Sequence, residues 1–486
     1  MHPQRVCVIG NGYVGSVVSA CLAHVGHNVV GIEKEPSRLE QLRNGIAPFH
    51  EPGLEPLIRS GLASGRLLFG DDVAVGMDNS DVVFVCVGTP PDPDDHPDMS
   101  AMARAAEMIA SHLHHRHVLV TKSTVPIGTG RWLAATIQEH LGGYGSGNEL
   151  FAVVANPEFL REGTAVNDYL HPERVVLGSD DGEALQMVAD VYEPIIAQIV
   201  PGDTTPRQPV PLVRTDLATG EMSKYASNAF LATKISFANE IARLCDFVGA
   251  DVGEVTKVMG LDSRIGDRFL AAGLGWGGSC FGKDLSALVS TAIEYGYHPR
   301  ILEASLAVND AQRQLVVDEL LRELRTLRGA RVCVLGLAFK AGTDDLRDSP
   351  GLDVATRLAR RGAFVTAYDP MAVRLPGPSE IRLCEDMYTA AMGADAVVVT
   401  AEWPEFLTAD LRHLKEAMHG DVFFDGRNLF DPERVRMFGY RYLSIGRPTA
   451  GSRSTVQLMP APSPAPDAGA QRAYSSAARQ FRYLTA

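Results

Sequence analysis

Two stretches of the chain alternate short apolar runs with longer amphipathic ones, and one long helical pattern separates them. In the first stretch Val6–Ile9, Asn28–Ile32, Asp81–Val87, His117–Lys122 and Ala152–Ala155 are rich in apolar residues and read as strands, with amphipathic helical stretches between most of them. Strands that are apolar on both faces need cover on both. The intervening helices supply it, so the pattern predicts a parallel sheet with helices on either side. A second pattern of this kind starts at Arg331, with Val332–Leu335, Phe364–Tyr368, Asp395–Thr400 and Val422–Phe424 as its strands. Asp81-Val82-Val83-Phe84-Val85 is echoed by Asp395-Ala396-Val397-Val398-Val399, which marks the second unit as a nucleotide-binding-like counterpart of the first. Between the two units, Asp216 to about Gly249 keeps helical periodicity with no proline and with Gly220 inside it. At 1.5 Å per residue such a helix spans roughly 50 Å, a length that bridges domains or packs against a second subunit. Gly142–Gly147 reads as a loop and Pro201–Val213 as a linker. After Gly446 the composition turns to Pro, Ala, Ser and Arg without periodicity, which predicts an unstructured tail.

Composition narrows the class. The chain has 486 residues, 45% hydrophobic and 21% charged, in line with about three globular domains. Its formal charge of −14 argues against a general binder of nucleic acid or anionic membrane, which needs a net basic surface. No apolar run is long enough for a membrane span and no secretory leader is visible, so a cytoplasmic protein is expected. The seven cysteines include no CxxC pair; Cys7, Cys21, Cys86, Cys245 and Cys333 fall in apolar strand-like or helical runs and read as buried thiols. The histidines of His112–His117 have no carboxylate or cysteine at ligand spacing and read as a solvated helix end, so no metal is expected.

Gly10-Asn11-Gly12-Tyr13-Val14-Gly15 follows a strand and opens a helix. Gly10 permits the tight turn, Gly12 lets backbone approach a pyrophosphate, and Gly15 lets helix and strand pack closely. The helix start offers amide donors to phosphate. Glu33 ends the next strand, where a carboxylate accepts from a ribose 2′-hydroxyl and repels a 2′-phosphate, so NAD is expected over NADP; Lys34 beside it is the feature that opposes this. Val87-Gly88-Thr89-Pro90 and Lys122-Ser123-Thr124-Val125-Pro126 end later strands, the edge where open α/β sheets bind ligands.

Gly275-Trp276-Gly277-Gly278-Ser279-Cys280-Phe281-Gly282-Lys283-Asp284 places a cysteine after a glycine-rich loop at a helix start. A helix N-terminus and the charge of Lys283 are expected to lower the thiol pKa. Asp284, four residues on, shares a helix face with Cys280 and can act as a base or orient water. A hydride acceptor beside a reactive thiol has a chemical meaning. One NAD takes an alcohol to an aldehyde, the thiol captures it as a thiohemiacetal, a second NAD leaves a thioester, and water hydrolyses that to the acid. Glu158 and Glu162 in Asn156–Gly163, and Lys224 and Asn228 on the long helix, sit at helical spacing. Taken alone each pair reads as a solvated face; near the thiol, Lys224 can stabilise an oxyanion and Glu158 can organise water.

These motifs in this order resemble the nucleotide-sugar 6-dehydrogenase family over about residues 3 to 445. The resemblance implies two Rossmann-like, doubly wound parallel-sheet domains joined by the long central helix: an NAD-binding domain at 1–205, a central dimerisation domain with the cysteine at 206–315, a sugar-nucleotide domain at 316–446 and a tail at 447–486. It implies Cys280 as thioester nucleophile, Asp284 and Lys224 as acid–base and oxyanion partners, and Thr124, Glu158 and Asn228 around a catalytic water. Gly10, Gly12, Tyr13, Val14, Gly15, Glu33, Lys34, Thr89, Thr124, Glu162, Lys283 and Arg347 are then expected to contact NAD. Glu158, Phe159, Leu160, Arg161, Lys224, Asn228, Phe269, Leu270, Gly273, Gly277 and Lys340 are expected to contact the sugar nucleotide. Arg264 resembles an arginine that the family presents to a neighbouring subunit's substrate, so a homodimer is expected. The context of Arg264-Ile265-Gly266 and Cys280-Phe281 favours UDP-glucose as substrate, with GDP-mannose as the alternative. Gly282 stands where proline is common in the family, and the loop around Asp92–Asp98 is idiosyncratic, but neither removes a chemical group. A plain two-electron hydroxyacid dehydrogenase would not need Cys280, and a non-catalytic sensor would not need it with Asp284 and Lys224.

Overall fold

The computed structural model describes residues 2–90, 92, 97–143, 147 and 149–448. The tail beyond 448, and parts of the loops expected at 92–98 and 142–147, lie outside the described residues. One sheet contains β1 (Arg5–Ile9), β2 (Asn28–Ile32), β3 (Leu67–Gly70), β4 (Val82–Val85), β5 (His117–Thr121), β6 (Phe151–Ala155), β7 (Val175–Gly178) and β8 (Leu212–Thr215), in the order β3-β2-β1-β4-β5-β6-β7-β8. Strands β1 to β6 are mutually parallel; β7 meets β6 antiparallel and carries β8 parallel to itself. The second sheet contains β9 (Arg331–Leu335), β10 (Phe364–Tyr368), β11 (Arg382–Leu383), β12 (Ala396–Val399), β13 (Val422–Asp425) and β14 (Arg441–Ser444), all parallel, in the order β11-β10-β9-β12-β13-β14. The echoed strands β4 and β12 hold equivalent places, each beside the first strand of its sheet. Both are buried along their whole length because helices cover both faces.

The helix Leu217–Val248 lies between the two sheets in sequence. Asp216 caps its start by accepting from the Thr219 amide, and Gly249, in the left-handed region, ends it. Gly220, the glycine inside it, is explained by packing: a Cβ there would lie 3.3 Å from both Ala155 Cβ and Gly178 Cα, so the helix rides directly on the ends of β6 and β7. Glu221 adds a polar anchor by accepting from the amides of Gly128 and Gly130 at the start of the helix Thr129–His140.

Two expectations change. Pro201–Val213 is not a linker to its end, because Leu212 and Val213 pair with β7 as the start of an edge strand whose half-exposed residues show no apolar run. The histidine cluster is not simply a solvated helix end. His117 is fully buried as the first residue of β5, and its ring nitrogens lie 2.9 Å from the His115 carbonyl and 3.2 Å from that of Met77.

Candidate active site

The glycine turn after β1 has the geometry that a dinucleotide needs. Gly10 has φ +87°, and a Cβ on Gly15 would lie 1.8 Å from the Gly10 carbonyl oxygen, so the helix Tyr13–His24 approaches the strand as only glycine allows. A Cβ on Gly12 would meet nothing within 4 Å, and no side chain caps the helix start. The first-turn amides therefore face open space. Glu33 is buried and accepts from the amides of Asn11, Lys34 and Glu35, which ties β2 to the turn. Lys34 turns away to the Asp71 carbonyl. Thr89 donates to the Thr124 carbonyl, joining the two strand-end loops.

A cleft of about 430 Å³ opens between this turn and the second domain, lined on one side by Tyr13, Phe49 and Glu162 and on the other by Asp345, Arg347 and Arg374. Glu162 is the junction. Its Oε1 lies 3.3 Å from Arg347 and 3.3 Å from the Ser279 hydroxyl, its backbone carbonyl accepts from Lys340 at 2.6 Å, and its side chain faces the Asp345 carboxylate. Burial, and then the Asp345 carboxylate, push Glu162 up to about 7. An open helix start and a cleft of this size fit NAD, and the far wall sets Arg347 and Arg374 among the carboxylates of Asp344 and Asp345.

Cys280 stands exposed at the N-cap of the helix Phe281–Glu294. Trp276 and Phe269 pack edge-on to Phe281 and hold the entry to that helix. Gly277 permits the loop to cross the second domain, since a Cβ would lie 2.2 Å from the Asp348 carbonyl. Around the thiol, Lys224 pairs with Glu158 at 3.0 Å, both buried. Asp284 is 1% exposed, accepts from Asn228 at 2.6 Å and pairs with Lys283 at 2.8 Å. The thiol pKa differs from expectation. Dense packing raises it and the carboxylates of Glu158 and Asp284 add to the rise, while the Lys224 ammonium and the Ser279 hydroxyl pull it down; the balance is upward. Burial alone would raise Glu158, but Lys224, the Leu160 amide and Lys122 outweigh it and hold the carboxyl below its ordinary range. Burial likewise disfavours the Lys224 ammonium, and Glu158, Cys280 and Asp284 outweigh that. The pair is therefore ionised, and a nucleophilic sulfur gains its charge only when a base takes its proton.

Phe159 lies under Arg174, with Lys224 5.5 Å from its ring centre, and the Leu160 amide donates to Glu158. Arg161 pairs with Asp168. Phe269 has φ +63°, Leu270 is buried, and the Gly273 amide donates to Asn239. Arg264 is 86% exposed, bonded to Asp262, and is not brought to the cluster. Sequence reasoning gave no role to Glu51, which accepts from Tyr13 Oη and from the Gly163 and Ala165 amides and so joins the glycine turn to the 156–163 loop. It also passed over Arg427, which bonds the carbonyls of Gly275, Phe339 and Thr400. Arg427 follows β13, and its place at the carboxyl end of a strand was the available signal; Glu51 lies in a turn with no periodic pattern to expose it.

Three models of one family match in order: the UDP-glucose/GDP-mannose dehydrogenase NAD binding domain over residues 4–196, the central domain over 218–311 and the UDP binding domain over 333–432. The chain belongs to the UDP-glucose/GDP-mannose dehydrogenase family. It is 43% identical over 451 residues to the UDP-glucose 6-dehydrogenase of Rhizobium meliloti (strain 1021), covering 92% of this chain and 100% of that one. It is 41% identical over 450 residues to UDP-glucose 6-dehydrogenase TuaD of Bacillus subtilis (strain 168), covering 92% and 94%. A solved UDP-glucose dehydrogenase from Pyrobaculum islandicum superimposes with a TM-score of 0.83 at 37% identity over 92% of this chain and 98% of its own. Membership makes the chain an NAD-dependent oxidoreductase and identifies the open turn as part of its NAD-binding domain. Among the described residues no helix is long and apolar enough to cross a membrane.

Proposed function

We propose that this member of the family oxidises UDP-glucose to UDP-glucuronate in two steps through Cys280, with GDP-mannose as the alternative substrate. The observation that carries the reading is an exposed cysteine at a helix start, flanked by a buried Lys224–Glu158 ion pair and by Asp284. The names of relatives that align along nearly the whole chain support the choice of sugar nucleotide.

Bound NAD supplies the hydride acceptor for each of the two oxidations, held by the Gly10–Gly15 turn with Tyr13 and Val14, by Glu33 and Lys34, by Thr89 and Thr124, and by Glu162, Lys283 and Arg347. The sugar nucleotide is held by the 158–161 loop, by Phe269, Leu270, Gly273 and Gly277, and by Lys340. Once the C6 hydroxyl has become an aldehyde, Asp284 takes the Cys280 proton as the sulfur adds to the aldehyde carbon. Lys224 steadies the oxygen that becomes negative. After the second oxidation the sulfur carries a thioester. Water positioned by Thr124, Glu158 and Asn228 attacks the carbonyl carbon, the C–S bond breaks, and Asp284 mediates the proton transfer that returns Cys280 to the thiol. The measurement is NADH formed per UDP-glucose consumed, where two supports the reading and one ends it. Cys280→Ser is expected to abolish the full oxidation and to keep NAD binding; full activity in that variant rules out covalent catalysis. The same assay with GDP-mannose decides between the two sugars.

A homodimer through the central helix belongs to this reading. Phe230, Phe237 and Leu244 recur at heptad spacing on that helix and stand 65%, 48% and 54% exposed, followed by exposed Phe247. Arg264, free of its own chain's cluster, then reaches the partner's substrate.

A further inference from the structure

A narrow cavity of about 10 Å³ lies where the central helix packs on the carboxyl ends of β5 and β6, lined by Thr124, Pro157, Glu221, Lys224 and Tyr225 among others. Neither Cys280 nor Asp284 lines it. One of its polar groups is unmet: Tyr225 is 2% exposed, and its hydroxyl is buried with no hydrogen-bond partner. Native folds seldom leave such a group unsatisfied. A second group is only partly met. An ammonium has three N–H donors, and the ion pair with Glu158 occupies one of those on buried Lys224. Glu221 is held by the amides of Gly128 and Gly130 and forms no hydrogen bond with the Tyr225 hydroxyl. A polar cavity needs roughly 10–15 Å³ and at least two polar partners to hold a water. This one offers the Tyr225 hydroxyl, the Lys224 ammonium and the Thr124 side chain.

We propose that one water is bound in this cavity between the Tyr225 hydroxyl and the Lys224 ammonium, which makes Tyr225 a positioning residue for the ammonium beside Cys280. The water oxygen accepts from Lys224 Nζ and from Tyr225 Oη, and its own hydrogens remain for the oxygens around it. Burial, with the carboxylates of Asp284 and Glu221, pushes the Tyr225 phenol up, so it stays a neutral donor. The inference rests on the reading of Lys224 as the group that steadies the oxyanion on the Cys280 adduct. The charged and titratable groups that face Lys224 are Glu158 from the loop after β6 and Cys280 and Asp284 from the helix start, with Lys122 acting on Glu158 and Glu221 on Tyr225. Replacing the tyrosine by phenylalanine changes none of these charges and keeps the ring.

The test therefore uses Tyr225→Phe and the unaltered protein side by side. A high-resolution crystal structure of the unaltered protein is expected to show one water within hydrogen-bond distance of both Tyr225 Oη and Lys224 Nζ; a dry cavity overturns the proposal. In Tyr225→Phe, kcat is expected to fall about three- to tenfold, the effect of one hydrogen bond, with KM for the sugar nucleotide and for NAD unchanged. The alkaline limb of the kcat profile is expected to move to lower pH, because the ammonium has lost an acceptor and its charged form is less favoured. A phenylalanine variant with the same kcat and the same pH profile overturns the bridge. Failure of the site reading itself looks different: the unaltered protein then carries no covalent sugar on Cys280 by mass spectrometry, whatever the cavity holds.

Discussion

Arg5-Val6-Cys7-Val8-Ile9-Gly10 opens the first sheet and Arg331-Val332-Cys333-Val334-Leu335-Gly336 opens the second, and both halves build the same turn from it. Gly10 and Gly336 both have positive φ, +87° and +102°. In each half a carboxylate just past the neighbouring strand accepts from the turn: Glu33 from the Asn11 amide, Asp369 from those of Leu337 and Ala338. In each a helix glycine crosses the carbonyl of the first glycine, with a Cβ that would lie 1.8 Å away at Gly15 and 2.4 Å away at Gly351. Beyond the turn the halves part. The first enters its helix at once, at Tyr13, with Gly12 facing open space. The second buries Ala338 at the corresponding position and reaches its helix only at Pro350. The loop between carries Lys340 and Arg347 across to Glu162 of the first domain. One strand-and-turn frame thus serves two ends. The first keeps an open helix start within the NAD binding domain, whereas the second gives up its turn amides and uses the extra chain to wall the cleft.

The shared frame is most exposed to attack at its paired glycines. Gly15→Ala and Gly351→Ala should each destabilise their own half by about 3 kcal/mol or more, since the clash in both is with backbone that cannot swing away; calorimetry showing either variant as stable as the parent would break the equivalence of the two turns. Next comes the difference. Gly12→Val should weaken NAD binding roughly 100-fold at unchanged melting temperature, because its side chain enters space that only a ligand fills. Ala338→Gly in the second half should leave NAD affinity unaltered, and isothermal titration compares the two directly. Arg347→Ala removes one of the two guanidinium groups that the second half contributes to the cleft and should raise KM for NAD about tenfold with little change in fold. The smallest effect is at Glu162, where the halves meet. Its folded pKa is raised above the unfolded value of 4.5 to about 7. The stability it contributes is therefore fully present below about pH 4.5 and is lost as pH rises through about 7. Glu162→Gln holds the neutral form, so between about pH 5 and pH 8 the parent should lose on the order of 1–2 kcal/mol more than the variant does. Equal slopes in thermal melts across that range would show that the junction carries no such proton.

Much of the fold was legible because burial on both faces writes itself into composition. β1, β4, β9 and β12 are apolar at nearly every position, and the long helix is bounded by a capping aspartate and a terminating glycine at its observed ends. What escaped were mostly edges, together with the buried inner strand β7. β8 has no fully buried residue and β11 and β14 are the rims of their sheet, so partner strands and not apolar runs define them, whereas β3 is a rim strand of only four residues. The antiparallel entry of β7 is equally invisible, because strand direction is a property of the pairing and leaves no local trace.

The site divides along the same line. By itself the sequence determined which chemical groups were on offer: a glycine turn between strand and helix, a cysteine after a glycine-rich loop, an aspartate one turn beyond it, and a lysine and an asparagine on one helix face. These are short-range facts, set by spacing along a strand or helix. Only the tertiary structure decided that Glu158 meets Lys224, that Asn228 meets Asp284 across more than fifty residues of chain, and that a loop of the second half closes on Glu162. It also decided the sign at the thiol, where the local expectation of a lowered pKa gives way to desolvation by the surrounding protein and to the Glu158 carboxylate brought from the loop after β6, with Asp284 of the same helix adding to the rise. Charge and desolvation act through space, and distance in space is the quantity that a linear pattern of residues does not contain.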